Sequence, residues 1–165
     1  MDKVVSLNKI PSKSIILRGF EDVDYFDSYM VNKSTELSVD KIATEIFRMS
    51  KVGVILMRIR DNIVKIFGLT VIKEAPNEQS YYPVGSKLIN FEVLARNENE
   101  IVMGENDKHL IFKTSVLIDK EKSKIYLTTI VKFNNWGGKL YFIPVKPIHK
   151  FLIKSQFKKK IDMIT

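Results

Sequence analysis

The two histidines and a nearby aspartate are the residues whose types and spacing first suggest chemistry. Asp107 precedes His109 by two residues, so a strand through this segment would place both side chains on one face. A carboxylate beside an imidazole holds one ring nitrogen while the other nitrogen acts as a base or a ligand. His149, near the end of the chain, is the natural further partner. A small acid/base enzyme that uses these residues is one hypothesis. The favoured interpretation is a polar hairpin in which Asp107 binds backbone amides and His109 packs in the sheet.

A metal site built on the same residues is not favoured. Two imidazoles with Asp107 or Glu105 would form a facial set of ligands, but nothing in their spacing makes them converge. The chain has no cysteine, which excludes disulfides, thiol catalysis and zinc sites with thiolate ligands. We therefore expect neither a metal nor another cofactor.

An arginine pair is a second candidate for ligand recognition. Arg58 and Arg60 precede Asp61 in a lysine-rich chain, and planar guanidinium groups bind carboxylates or phosphates with two hydrogen bonds. The alternative is that the arginines pair with Asp61 or with a strand carboxylate such as Glu92 and fix a helix on the sheet. Arg60 is kept as a candidate ligand-binding residue.

Basic residues dominate the charge of the chain. Lysine and arginine number 27 against 19 acidic residues, which gives a net charge of +8. Four lysines form a row at i+4 near the end of the chain: Lys146, Lys150, Lys154 and Lys158. Specific nucleic-acid binding is not predicted, because base recognition favours arginine and because Phe151 and Phe157 are assigned to the apolar side of the helix. A solvated face is favoured, and a basic surface for a membrane or an acidic partner is the alternative.

The elements that position these residues follow from hydrophobic periodicity. The 165 residues suit one domain over 24–165 after an irregular N-terminal arm over 1–23, which is expected to add an edge strand at 14–17. Strands are predicted over 24–31, 88–96, 100–104, 107–118 and 124–133. Ser38 should cap a helix that ends near 51–53, and a second helix is predicted over 54–67. The last 27 residues predict a long amphipathic helix with Tyr141, Val145, Ile148 and Leu152 on its apolar stripe, after a turn at Gly137–Gly138.

Strands that are separated from helices in this way predict an α+β fold, with helices on one face of an antiparallel sheet. The order resembles the helix-grip fold of START-like and birch-pollen-allergen-like (SRPBCC) domains. The segments 57–62 with 67–69, 104–112 and 146–149 resemble a bacterial family of unknown function in that superfamily. The resemblance implies a curved sheet that wraps a long C-terminal helix and encloses a cavity. It implies no established reaction.

The main functional hypothesis is non-catalytic binding of a hydrophobic or amphipathic small molecule between the sheet and the C-terminal helix. No glycine-rich phosphate loop, nucleophile elbow or dinucleotide-binding motif favours an enzyme. The candidate ligand-binding residues are Arg60, Phe91, Asp107, His109, Phe112, Tyr141, Ile148 and His149, and Ile130, Phe133 and Leu152 are further cavity candidates. The sequence does not decide which face of the strands points towards the cavity.

The sequence also bears on location. The first six residues lack the apolar core of a secretory signal, and the longest apolar run, at 54–57, is too short to span a membrane. We expect a cytoplasmic monomer or homodimer with no transmembrane segment.

Overall fold

One antiparallel sheet and two helices make up the part of the protein that the computed structural model describes, residues 3–48, 78–89 and 91–164. The elements in chain order are β1 (Val5–Ser6), β2 (Tyr25–Asn32), α1 (Val39–Phe47), β3 (Lys87–Leu88), β4 (Phe91–Arg96), β5 (Glu100–Asn106), β6 (Leu110–Asp119), β7 (Lys124–Phe133) and α2 (Trp136–Ile164). The strand order across the curved sheet is β1-β2-β7-β6-β5-β4-β3. This is the predicted α+β class, with a helix-grip-like arrangement of sheet and long terminal helix.

The inner face of the sheet carries the main core. The register pairs Val116 of β6 with Leu127 of β7 and with Ile101 of β5, so these side chains point to the same face. They pack with the helices through Ile42 of α1 and Phe157 of α2, both fully buried. The alternate residues of β6 from 110 to 118 point to this inner face, which the sequence left open.

The outer face is covered by the N-terminal arm. Ile15 and Ile16 pack there on Val102 and Ile130, so Ile130 faces away from the helices and is not a wall of a cavity beneath α2. The predicted edge strand at 14–17 is wrong: these residues form turns, and β1 supplies the edge strand. The reason is that Ile15 and Ile16 both bury against the sheet, whereas an alternating strand would bury one of them.

Glu100 fixes the arm to the sheet. Its fully buried carboxylate accepts hydrogen bonds from the Ser14 hydroxyl at 2.5 Å and from the Ile15 N–H at 2.7 Å. Burial nevertheless raises the pKa of Glu100 above its ordinary value, and the hydrogen bonds only partly offset this effect.

We expect Ile16→Ala to lower the free energy of unfolding by about 2 kcal/mol, the low end for a buried isoleucine, because the outer core is only one layer of side chains. Leu17 is the matched control, since it is adjacent in the chain and 44% exposed. Leu17→Ala should change stability by less than about 0.5 kcal/mol. Urea unfolding of both variants checks the difference, and equal losses would show that the arm does not form a core with the sheet.

The helix α1 begins where the sequence predicts. The Ser38 side chain accepts the Lys41 N–H at 3.2 Å and caps α1, which ends at Phe47, before the predicted 51–53. The predicted helix over 54–67 lies outside the described residues. Within the described ranges, no helix combines the length and apolar character needed to cross a membrane.

α2 differs from its prediction in two places. Gly137 and Gly138 lie in its first turn rather than in a loop. Phe151 is 66% exposed, so it does not belong to the buried stripe. The helix continues through Pro144 and Pro147, although each proline removes one helical N–H donor.

Candidate functional site

The candidate site is a carboxylate on the inner face of β2, beneath the middle of α2. Tyr25, Asp27 and Tyr29 alternate along β2 and point to this face. The Asp27 side chain is only 6% exposed. The Tyr25 hydroxyl donates to Asp27 Oδ2 at 2.8 Å, and His149 Nε2 of α2 lies 3.4 Å from the same oxygen. The structure thus joins one predicted candidate, His149, to an aspartate that the sequence analysis did not select.

Two buried polar atoms of this site have no hydrogen-bond partner within the described chain: Asp27 Oδ1 and His149 Nε2. His149 Nε2 is within ion-pair distance of Asp27 but is not aligned for a hydrogen bond. Leaving a buried polar atom unsatisfied costs about 1–3 kcal/mol, so most such atoms in folded proteins are partnered. Asp27 Oδ1 and His149 Nε2 can therefore each take part in one further hydrogen bond.

The tyrosine hydroxyls of the site are held in their neutral form. Burial, followed by the charge of Asp27, raises the pKa of Tyr29 to about 12. The same two causes, in the same order, raise the pKa of Tyr25 above its ordinary value. Both hydroxyls therefore stay protonated at neutral pH, and the single donor of Tyr25 is already used in the hydrogen bond to Asp27 Oδ2.

The ring of Tyr25 is also fixed in place. Phe142 of α2 packs edge-on against it, with 4.8 Å between ring centroids. The ammonium groups of Lys146 and Lys150 lie 5.1 Å and 5.9 Å from the centre of the ring, within the range of cation–π attraction. These contacts hold α2 over β2 and keep the Tyr25 hydroxyl directed at Asp27.

A groove of about 390 Å³ opens beside Asp27, between the edge formed by β1 and β2 and the outer side of α2. Its volume falls within the range of small-molecule sites. Its lining residues are Ser6, Leu7, Phe26, Asp27, Ser28, Tyr29, Lys150, Phe151 and Lys154. The groove therefore combines apolar walls, one buried carboxylate and two lysines at its mouth.

Asp107 and His109 occupy the hairpin between β5 and β6. Asp107 Oδ1 accepts the backbone N–H of His109 at 3.2 Å, and His109 Nδ1 lies 3.1 Å from Asn135 Oδ1. Asn135 in turn accepts the Gly138 N–H at 3.1 Å, at the start of α2. Asp107 therefore binds a backbone amide, as the favoured interpretation has it, and His109 supports the beginning of the helix.

The structure does not bring His109 and His149 together. His109 lies against Gly137, and His149 is twelve residues further along α2, about 18 Å at the helical rise per residue. In the described part of the chain there is no group of three or more His, Cys, Asp or Glu side chains that could hold a metal ion.

The other candidates lie at different places on the inner face. Phe91 and Phe112 contact each other, with ring centroids 5.3 Å apart, but β4 is four strands away from β2 and its groove. Tyr141 is buried and Ile148 is half-buried on the sheet side of α2. Arg60 lies outside the described residues. The ligand-binding roles of these residues stay predictions.

Sequence reasoning missed Asp27, although a signal for it exists. The strand at 24–31 was predicted, and period 2 places Asp27 between Tyr25 and Tyr29 on one face. An acidic residue between two aromatic residues on one strand face is unusual, because such a face is usually buried. That pattern marks a carboxylate directed into the protein.

Comparison with known proteins gives a family and no closer match. A family model described as a protein of unknown function (DUF2867) matches residues 19–156, most of the chain. No curated protein and no solved structure matches the sequence.

Proposed function

The chain belongs to the DUF2867 family of proteins of unknown function, and we propose that it binds an amphipathic small molecule in the groove between β2 and α2, without transforming it. The observation that carries this proposal is Asp27, which lines the groove and whose buried Oδ1 has no hydrogen-bond partner in the described chain. A ligand with a hydroxyl or amine group would donate to Asp27 and satisfy this oxygen.

The walls of the groove suit the apolar part of such a ligand. Leu7 and Phe151 line it, and Phe151 is 66% exposed. Covering these side chains removes apolar surface from water, which favours binding in proportion to the area covered. The proposed ligand therefore has a small polar head at Asp27 and an apolar body along these two residues.

The first test is native mass spectrometry of the protein purified from its own host. We expect a retained molecule that denaturation releases. A thermal-shift screen of long-chain alcohols, amines, fatty acids, sterols and aromatic amphipaths then ranks ligand classes, and alcohols or amines should give the largest shifts. A native mass equal to that of the protein alone, together with no change of unfolding temperature from any ligand class, would overturn the proposal.

Asp27→Asn should weaken binding of the best ligand from this screen by about tenfold to a hundredfold, the range expected when a hydrogen bond to a charged group is lost. The unfolding temperature of the free variant should not fall, because the substitution removes a buried charge and keeps an oxygen for the Tyr25 hydroxyl. Asp22→Asn is the matched control, since the Asp22 side chain is 78% exposed. Isothermal titration calorimetry checks the affinities, and equal affinities of both variants would place the ligand elsewhere.

A second function is favoured by one observation, the His149 imidazole beside the buried Asp27 carboxylate. A carboxylate that holds an imidazole is the arrangement of a general base, with the Tyr25 hydroxyl as a proton donor nearby. This pair replaces the predicted set of Asp107, His109 and His149 as the candidate acid/base centre. Recovery of the bound molecule distinguishes the two functions: an unchanged molecule supports binding, and turnover that His149→Gln abolishes supports catalysis.

We also propose that the chain is a bacterial member of the START-like (SRPBCC) superfamily. The curved sheet that holds a long terminal helix supports this assignment, as does the resemblance of the sequence. We further propose that the protein is cytoplasmic and is a monomer or a homodimer.

A further inference from the structure

The outer side of α2 carries an apolar stripe that the fold leaves exposed. Trp136 is 78% exposed, Leu140 48%, Ile143 67% and Phe151 66%. At 100° per residue these four positions lie within about 80° of one another around the helix. Contiguous apolar surface of this kind on a folded protein commonly marks an interaction site.

Lysines accompany the stripe along its length. Between Trp136 and Ile161 the helix has seven lysines and no aspartate or glutamate. Five of these lysines are exposed within or beside the stripe: Lys139, Lys146, Lys150, Lys154 and Lys158. In the described residues none of the five forms an ion pair, although Lys146 and Lys150 also lie over the Tyr25 ring, so no carboxylate there neutralises their charge.

We propose that this side of α2 docks on an anionic lipid surface. Apolar residues with tryptophan on one side of a helix and lysines beside them are typical of helices that lie in a membrane interface. Tryptophan suits the headgroup level, and lysine stems cover apolar surface while their charges reach the phosphates. Anionic lipids attract such lysines with about 1 kcal/mol each near the surface.

The shape of the stripe favours a membrane over an acidic protein. It runs about 22 Å along one side of the helix, and a lipid surface can cover that whole length. The groove beneath Phe151 opens next to Lys150 and Lys154, so a docked protein would present its groove to the lipid. The docking itself does not depend on ligand binding in that groove.

Trp136 gives a direct test, because it is the sole tryptophan of the chain. We expect its emission to shift to the blue when the full chain is mixed with vesicles of phosphatidylcholine and phosphatidylserine at low salt. Vesicles of phosphatidylcholine alone should give a much smaller shift. Added salt should weaken binding, because it screens the attraction between lysines and lipid.

Variants outside the groove separate this proposal from ligand binding. Lys139→Glu with Lys158→Glu should weaken vesicle binding by at least about tenfold. Lys108→Glu with Lys120→Glu changes the net charge equally on exposed hairpins and is the matched control. Ile143→Ser should reduce the blue shift, whereas Met163→Ser, at an equally exposed site, should not. Circular dichroism confirms that all variants fold.

Three results would overturn the proposal. The first is no binding to phosphatidylserine vesicles at low salt. The second is binding to soluble polyglutamate that equals binding to the vesicles without a blue shift of Trp136, which would indicate an acidic protein partner. The third is equal weakening by the paired control, since the attraction would then come from net charge alone.

Discussion

Asp40→Ala is expected to lower the free energy of unfolding by about 3–5 kcal/mol, the range for removal of one partner of a buried ion pair. Arg96 binds both oxygens of the Asp40 carboxylate, with Nη1 to Oδ1 at 2.7 Å and Nη2 to Oδ2 at 2.9 Å. The two side chains are 5% and 10% exposed. Truncation of Asp40 would leave the Arg96 guanidinium buried with two of its three hydrogen bonds lost.

The same carboxylate joins three segments of the chain. Asp40 belongs to α1 and Arg96 to β4. Tyr82 lies in the segment before β3, and its N–H donates to Asp40 Oδ1 at 2.9 Å. Arg96 also donates to the Tyr82 carbonyl, and Tyr81 stacks 3.8 Å from its guanidinium. The large effect follows because one substitution loosens a helix, a strand and a loop at once.

The pH dependence of this effect has a definite sign. Burial alone would raise the pKa of Asp40, but the hydrogen bonds from Arg96 and Tyr82 and the charge of Arg96 outweigh it and lower the pKa. A lowered pKa in the folded state stabilises the protein above the ordinary pKa of aspartate, and this stabilisation is lost as the pH falls through the folded value. The difference in stability between the wild type and Asp40→Asn should therefore be constant near neutrality and shrink below about pH 4.

Urea unfolding of Asp40→Ala and Asp40→Asn between neutral and acidic pH measures both effects. Asp22→Ala is the control, because its ion pair with Lys132 is exposed and should contribute less than about 1 kcal/mol. Glu100 also makes stability depend on pH, because its raised pKa stabilises the fold below the ordinary pKa of glutamate and ceases to do so as the pH rises. Since Glu100 is present in all of these proteins, its effect cancels when their stabilities are compared. A loss for Asp40→Ala no larger than the control loss would contradict the buried network.

The sheet was largely predictable from the sequence, because its signals are local. The hairpin of β6 and β7 combines alternation with a polar turn, and β7 begins and ends at the predicted Lys124 and Phe133. The capped start of α1 at Ser38 is local too. Alternation could not predict which face of the sheet the Ile130 side chain points to. The N-terminal arm buries the outer side of the sheet, so apolar residues occur on both faces.

The candidate site was predicted only in part, because it depends on how distant elements cross. His149 was selected by its residue type, but its partner, Asp27, is set by where α2 passes over β2. Phe151 was assigned to the buried stripe because it is apolar, yet the helix turns it towards the solvent beside the lysines. Residue type identifies polar candidates, and the packing of α2 decides which of them meet.

Gly138→Ala should lower the free energy of unfolding by about 3 kcal/mol, because the start of α2 lies in direct contact with the start of β6. A Cβ on Gly138 would overlap the carbonyl oxygen of His109. That oxygen also accepts the Asn134 N–H at 2.9 Å, so it is not free to move away. Gly137→Ala is the matched control: its Cβ would meet Asn135 Oδ1 at 3.0 Å and His109 Nδ1 at 3.3 Å, both ends of adjustable side chains. It should change stability by less than about 1 kcal/mol.

The position of α2 over Asp27 depends on this same contact, and the two histidines report on it separately. If the Gly138 side of the helix is pushed outward, we expect His149 to move away from Asp27 as well, since both positions lie on one continuous helix. Proton NMR should therefore show shifted ring signals of both His109 and His149 in Gly138→Ala. In Gly137→Ala only the His109 signals should shift, because its ring alone lies beside the new methyl group. Unchanged His149 signals in a destabilised Gly138→Ala variant would mean that the site is held by β2 and Phe142 rather than by the start of the helix.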